Sequence, residues 1–215
     1  MELCDKFLHE YIKINPLLND YLQLPEYMNL RSRMIFQLST DFLQKEKELY
    51  KKYQSLLKKQ SELSLYDTIL QRDIINYCKQ CDFPKHYIPL KSIDNFYSEL
   101  MIQTKGLFLY QFTDISSYQD YMKRLSHIPH ITDEIIKNMK QGLLKKITIS
   151  QTIVQEIIDV LQTTVKEDTY ENQFNHSKQI PNQIKKKFLQ CISKNCIDSI
   201  KKVILFLQTE YIHKC

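Results

Sequence analysis

The sequence predicts an all-α fold: a multi-helix array of antiparallel helices with one long amphipathic helix and little or no sheet. Three observations predict it. Apolar residues recur three and four apart through most of the chain. Helix-start residues stand in front of several of those runs. The 215 residues include only two glycines, too few for the tight hairpins and positive-φ positions of a β-rich or α/β fold. A chain of this size buries a sizeable core, and 43% hydrophobic with 26% charged residues is ordinary for a globular protein. The expected organisation is a single helical domain over 1–215. It comprises N-terminal helices 1–81, a proline-containing connector 82–91, a three-helix stretch 116–165, a mobile loop 167–181 and a terminal helix 182–213.

Leu3, Phe7, Tyr11 and Ile14 open the chain with a short helix that Asn15–Pro16 ends, because a residue before proline is pushed out of the α region. The long amphipathic helix is expected over 27–59, with Leu30, Met34, Leu38, Phe42, Leu49, Tyr53 and Leu56 on its stripe. Ser61 or Ser64 caps the next helix, 65–81, whose apolar face is Leu70, Ile74, Tyr77, Cys78 and Cys81. Pro84 and Pro89 make 82–91 an extended connector. A helix or irregular segment follows over 92–104. Residues 107–112 form an apolar run that is either a short strand or a helix end.

Residues 116–162 then read as three capped helices. Ser116 with Gln119 forms one capping box and Thr148 with Gln151 another, while Thr132 caps the helix between them. Ile128–Pro129 stops the first. The core faces are Tyr118, Tyr121, Met122 and Leu125, then Ile135, Ile136, Met139 and Leu143, then Ile153, Val154, Ile157, Ile158, Leu161 and Val165. Short connections make such neighbours antiparallel. Residues 167–181 are polar and read as a loop. Ile197, Ile200, Ile204, Leu207 and Tyr211 give the terminal helix a heptad-like seam.

Net charge is +5, and lysine pairs or triplets at 51–52, 58–59, 145–146, 185–187 and 201–202 are scattered along the chain, as solvated helix faces are. A nucleic-acid surface is not expected. Charges interrupt every apolar stretch short of a membrane span, and no basic lead-in precedes an apolar run at Met1–Glu2. Six cysteines in that setting imply reduced thiols and a cytoplasmic location, in a virus-infected host cell or otherwise. The lack of alanine and tryptophan is the codon bias of an AT-rich genome such as that of a large DNA virus, a parasite or an AT-rich bacterium.

Cys78-x-x-Cys81 with Cys191 and Cys196 offers four thiolates for zinc. The second pair lacks knuckle spacing, however, and the first lies on an apolar face, so buried thiols are expected. His127-x-x-His130 straddles a proline turn and reads as two surface residues. No HExxH, P-loop, dinucleotide fingerprint or nucleophile elbow occurs in the sequence. No catalytic, cofactor-binding or metal-ligating residue is assigned, and no cofactor is expected.

One ordered set of motifs resembles a known family. Tyr118-Gln119-Asp120-Tyr121, Leu125, Ile128-Pro129, Met139-Lys140-Gln141-Gly142-Leu143, Thr148-Ile149-Ser150 and the run from Val154 to Gln162 are similar to the central run of the domain-of-unknown-function 885 family. Upstream, 83–90 resembles that family's Pro-Leu segment, and downstream 206–211 resembles its Phe-Leu-x-x-Glu-Tyr. Lys146 stands where the family usually has a second glycine, and Ser150 where it usually has proline. The resemblance implies a helical scaffold related to zincin-like metallopeptidases. It covers their amino-terminal helical portion, without the HExxH whose histidines hold zinc and whose glutamate is the general base. It therefore implies a non-catalytic role as a split or truncated half acting with a partner. A helical structural or interaction protein that self-associates or binds another protein is the other reading. A protein partner or self-association is expected, and a membrane is not.

Overall fold

The computed structural model describes residues 2–80, 84–90, 112, 114–166 and 181–215. The expectations for 92–104, for the apolar run before Phe112 and for the loop 167–180 fall outside these residues. The elements are α1 (Leu3–Ile14), α2 (Asn19–Leu22), α3 (Thr40–Leu57), α4 (Leu65–Gln80), α5 (Ile115–Leu125), α6 (Ile128–Lys145), α7 (Gln151–Lys166), α8 (Asn182–Ile192) and α9 (Asp198–Phe206), with short 3-10 turns between. No strand occurs among the described residues, so the fold is all-α. Nor is any helix there long and apolar enough to cross a membrane. The chain forms two compact units, Met1–Leu30 with Ile35–Lys85, and Arg31–Met34 with His86–Cys215.

In the first unit α1, α3 and α4 pack on one another. Leu49, Tyr53, Leu57, Leu70 and Ile74 are buried, with Phe7, Tyr11, Tyr50 and Cys78 against them. Asn15–Pro16 ends α1 as its sequence predicts. Ser64 caps α4, its Oγ accepting from Asp67 N at 3.1 Å.

The long helix over 27–59 is not continuous. Residues 25–30 form a 3-10 turn and α3 starts at Thr40, where Ser39 Oγ accepts from Phe42 N at 3.2 Å. Inside the break the Arg31 carbonyl is held by a distant side chain. An unbroken helix would use the Arg31 carbonyl to accept from residue 35. Instead Arg124 takes it, donating Nε at 3.0 Å and Nη2 at 2.6 Å. Arg31 in turn reaches Asp120 at 2.9 Å.

Three expected caps also shift. The box at the start of α5 is Asp114 with Ser117, not Ser116 with Gln119, because Asp114 Oδ1 accepts from Ser117 N at 2.8 Å. α6 begins at Ile128 with Pro129 in its first turn, where a proline loses no intrahelical bond. Pro129 thus opens α6, and α5 ends beforehand at Leu125. Thr132 is inside that helix, fully buried, with its hydroxyl unpartnered. α7 begins at Gln151, so Thr148 lies too far upstream to cap it.

In the second unit α5 packs on α8, and α9 packs on α6 and α7. Phe188 meets the rings of Tyr118 and Tyr121 at 5.4 and 6.1 Å. From α8 onward the buried line is Phe188, Ile192, Cys196, Ile200, Val203, Leu207 and Tyr211, while Ile197 and Ile204 are only half-buried. The expected seam is therefore displaced. The first four residues of the buried line, Phe188 to Ile200, step by four, and each such step overshoots an α-helical turn by about 40°. Wide turns absorb that drift: Asp198 N bonds Ser193 O, and Ile212 N bonds Leu207 O, each five residues back.

The end of α6 is the tightest point of this unit. A Cβ on Gly142 would lie 2.6 Å from Ile147 O and 3.0 Å from Tyr87 O. Lys146 follows in the left-handed region at φ 58, and Ile147 N reaches back to Gly142 O at 2.9 Å. Lys146 therefore occupies a backbone conformation suited to glycine. Opposite effects are expected from two substitutions, read by urea unfolding. Gly142→Ala should cost roughly 1–3 kcal/mol by overpacking against backbone. Lys146→Gly should gain about 1 kcal/mol, as relief of the left-handed penalty outweighs glycine's extra unfolded-state freedom. Exposed Gln141→Ala serves as the neutral reference.

Candidate functional site

The polar constellation with the most unusual chemistry is in the first unit, around Glu46. Phe42, Glu46, Leu49, Tyr53 and Leu57 fall on one helical stripe of α3, so Glu46 sits at a core position and is 6% exposed. Tyr11 of α1 donates to its Oε1 at 2.9 Å. Oε2 is buried with no hydrogen-bond partner, and Lys85 Nζ stands 4.0 Å from it. Asn15 borders the group and receives a bond from Gln37 at 3.2 Å.

The surroundings hold the two phenols of this cluster in their neutral form. Burial first, then the Glu46 charge, hold the Tyr11 phenol far above its ordinary range. The same two causes push Tyr50 up to about 12. Tyr11 is thereby kept as a neutral donor to Glu46. Tyr50 stacks on Tyr77 with centroids 3.9 Å apart, closing the cluster with rings.

Beside it Glu10 accepts from Lys52 Nζ at 2.7 Å and from Tyr53 Oη at 3.1 Å. The Lys52 hydrogen bond holds the Glu10 carboxyl below its ordinary 4.5.

The second unit offers two further places. At the end of α6, His86 is held below its ordinary value by burial and then by Lys145, whose ammonium lies 5.2 Å from the Tyr87 ring centre. Tyr211 accepts from Ile149 N at 3.1 Å, fixing the approach to α7. Between α6 and α9 runs a shallow groove of about 360 Å³ lined by Asp133, Ile136, Lys137, Lys140, Leu144 and Lys202 among others. Leu144 is 86% and Leu205 61% exposed.

Of the residues considered for metal, His127 and His130 are both exposed around the start of α6. Cys78 is half-buried in α4, and Cys81 is outside the described residues. Cys196 is fully buried and Cys191 partly so, and burial raises both thiols, which disfavours the thiolate a metal needs. Among the described residues no three His, Cys, Asp or Glu are grouped as metal ligands. Sequence reading missed Glu46, although its spacing from Phe42 and Leu49 placed it on the buried stripe. It also missed Arg124, which stands three residues after buried Tyr121 and so falls on the buried stripe of α5 in the same way.

A group whose folded pKa is depressed stabilises above its unfolded value and loses that contribution as pH falls through the folded one. Glu10 should therefore add stability that fades below about pH 4.5. Glu10→Gln should flatten that part of a stability-versus-pH curve. The pair is partly exposed, which limits the effect to under about 1 kcal/mol.

No curated protein and no solved structure matches the chain. Residues 24–215 match the family described as bacterial protein of unknown function (DUF885). That span takes in most of the chain, including Glu46, the Gly142 turn and the α6–α9 groove, and the protein therefore belongs to the DUF885 family.

Proposed function

We propose that this chain is a non-catalytic helical scaffold, equivalent to the amino-terminal helical portion of a zincin-like metallopeptidase frame, and that it acts with a partner polypeptide bearing HExxH. One observation carries the reading. The principal polar constellations are engaged within their own units, Glu46 with Tyr11, Glu10 with Lys52 and Arg31 with Asp120. What stands open on α6 and α9 includes two large apolar side chains among the charged ones, Leu144 and Leu205. Such a surface binds a protein more readily than it transforms a small molecule.

A second reading, self-association, draws on α4, where Leu65, Tyr66 and Ile69 are 72%, 63% and 40% exposed. Light scattering across a concentration series separates the two, since a scaffold awaiting a different partner stays monomeric when alone.

The main experiment mixes the purified chain with an HExxH-bearing polypeptide of the family and follows binding by sedimentation and zinc-dependent peptide hydrolysis. Binding with altered hydrolysis is the expected outcome. Zinc-dependent hydrolysis by this chain alone, or a mixture in which neither quantity changes, would sink the proposal.

A further inference from the structure

We propose that α1 is a detachable strap seated on α3 and α4. It opens while those two helices stay folded, and it gives way there to a helix in trans that carries the same pattern of side chains.

The helix is held mostly by its edges. Only Ile12 of its 12 residues is buried, whereas α3 buries Phe42, Glu46, Leu49, Tyr53 and Leu57. Leu3, Cys4, Phe7, Tyr11 and Ile14 are half-buried against the core of α3 and α4. An element with so few fully buried side chains belongs to the part of a fold that opens first. Nor does α1 cap itself. Its N-cap residue, Glu2, makes no side-chain bond to the helix, and the Cys4 amide donates instead to Asp67 Oδ1 of α4 at 2.8 Å. A helix of 12 residues is marginal alone in water, so α1 keeps its shape while seated and loses it on opening. The root of the strap is fixed where its body is not. Asn15 and Pro16, which follow α1, are buried. Gln37 Nε2 donates to Asn15 Oδ1 at 3.2 Å, and Asn19 pairs through both side-chain atoms with the backbone of Leu24. The hinge is therefore at Asn15.

The seat itself selects the occupant, and α1 shows what it selects. Phe7 sets its ring edge-on to Tyr50 and Tyr53, with centroids 5.3 and 5.2 Å away. Three and four residues on, one turn along the same side, Glu10 accepts from Lys52 Nζ at 2.7 Å and Tyr11 donates to Glu46 Oε1 at 2.9 Å. A hydrogen bond between His9 and Tyr27 completes the attachment. The seat on α3 and α4 thus reads an aromatic residue, an acid and a tyrosine at i, i+3 and i+4 of a helix. Opening takes from Glu46 its hydrogen bond to Tyr11, and its other oxygen already has none. It also takes Glu10 from Lys52. Polar groups left in that state favour refilling of the seat, by α1 or by a matching helix.

The probe is a fluorescent peptide of the chain's own residues Glu2–Asn15, titrated against the full chain. It should bind weakly, because α1 competes for the same seat. Phe7→Ala in the chain should tighten peptide binding by about tenfold, and Glu10→Gln by a few-fold, whereas the same changes made in the peptide should weaken it. An α1 that is merely structural would not give those opposite signs. By native-state hydrogen exchange, the α1 amides should open at least about tenfold more often than those of Leu49–Leu57. No peptide binding to any of these chains, binding that Phe7→Ala in the chain leaves unchanged or weakens, or α1 exchanging at the rate of α3 would each overturn the inference. So would a Phe7→Ala or Glu10→Gln chain that loses more helix by far-UV circular dichroism than α1 contains, because α3 and α4 would then not stay folded without their strap.

Discussion

The second unit depends on the missing side chain of Gly142. There α6 must stop, the backbone of Tyr87 must pass close by, and the chain must turn toward α7. A Cβ would meet two carbonyl oxygens at 3.0 Å or less, so nothing larger fits without moving backbone. Once that approach is made, Ile147 N closes on Gly142 O and Ile149 N reaches the Tyr211 hydroxyl. These few bonds fix where α7 begins and where the last turn of the chain lies. The buried faces of α6, α7 and α9 then meet, with Met139, Val154, Leu161 and Val203 all fully buried.

The helices themselves were legible because their signal is redundant: six or seven apolar positions at one spacing outvote any single exception. Their ends were less so. A cap depends on one side chain, and Asp114, Ser116 and Ser117 compete within a few residues for the same role. The break before α3 was hidden for a different reason. Residues 27–59 are locally a good helix, and the Arg31 carbonyl within them is held by a guanidinium from residue 124, about ninety positions away. Local periodicity carries no trace of a contact that distant. Glu46 is intermediate between these cases. Its position was readable, but its charge argued against burial, and only Tyr11 and Lys85 make that burial tolerable.

Arg124, Glu46 and the Asp114–Ser117 box show how polar groups work in a helical protein with so little glycine. Apolar stripes slide past one another at modest cost, whereas a buried charge with one partner does not. Arg124 is 3% exposed and donates both Nε and Nη2 to the Arg31 carbonyl, which holds the Arg31 backbone in place. Glu46 and Tyr11 set α1 against α3 in the same way. These groups specify register more than they add stability, which belongs to the buried rings and aliphatic side chains around them.

The wide turns at Ser193–Ile197 and Leu207–Tyr211 make the length of the terminal helix informative in itself. Each accommodates one residue more than an α-helical turn would hold. Removing a residue from either could restore a regular ladder with the chain beyond it still in register, whereas removing one from the regular turns of α9 would swing everything beyond it by about 100°, taking Tyr211 away from Ile149. Residue count here is thus under the same restraint as residue identity. Substitutions along the exposed side leave this register alone, while a deletion or insertion outside the wide turns rotates every buried position that follows it.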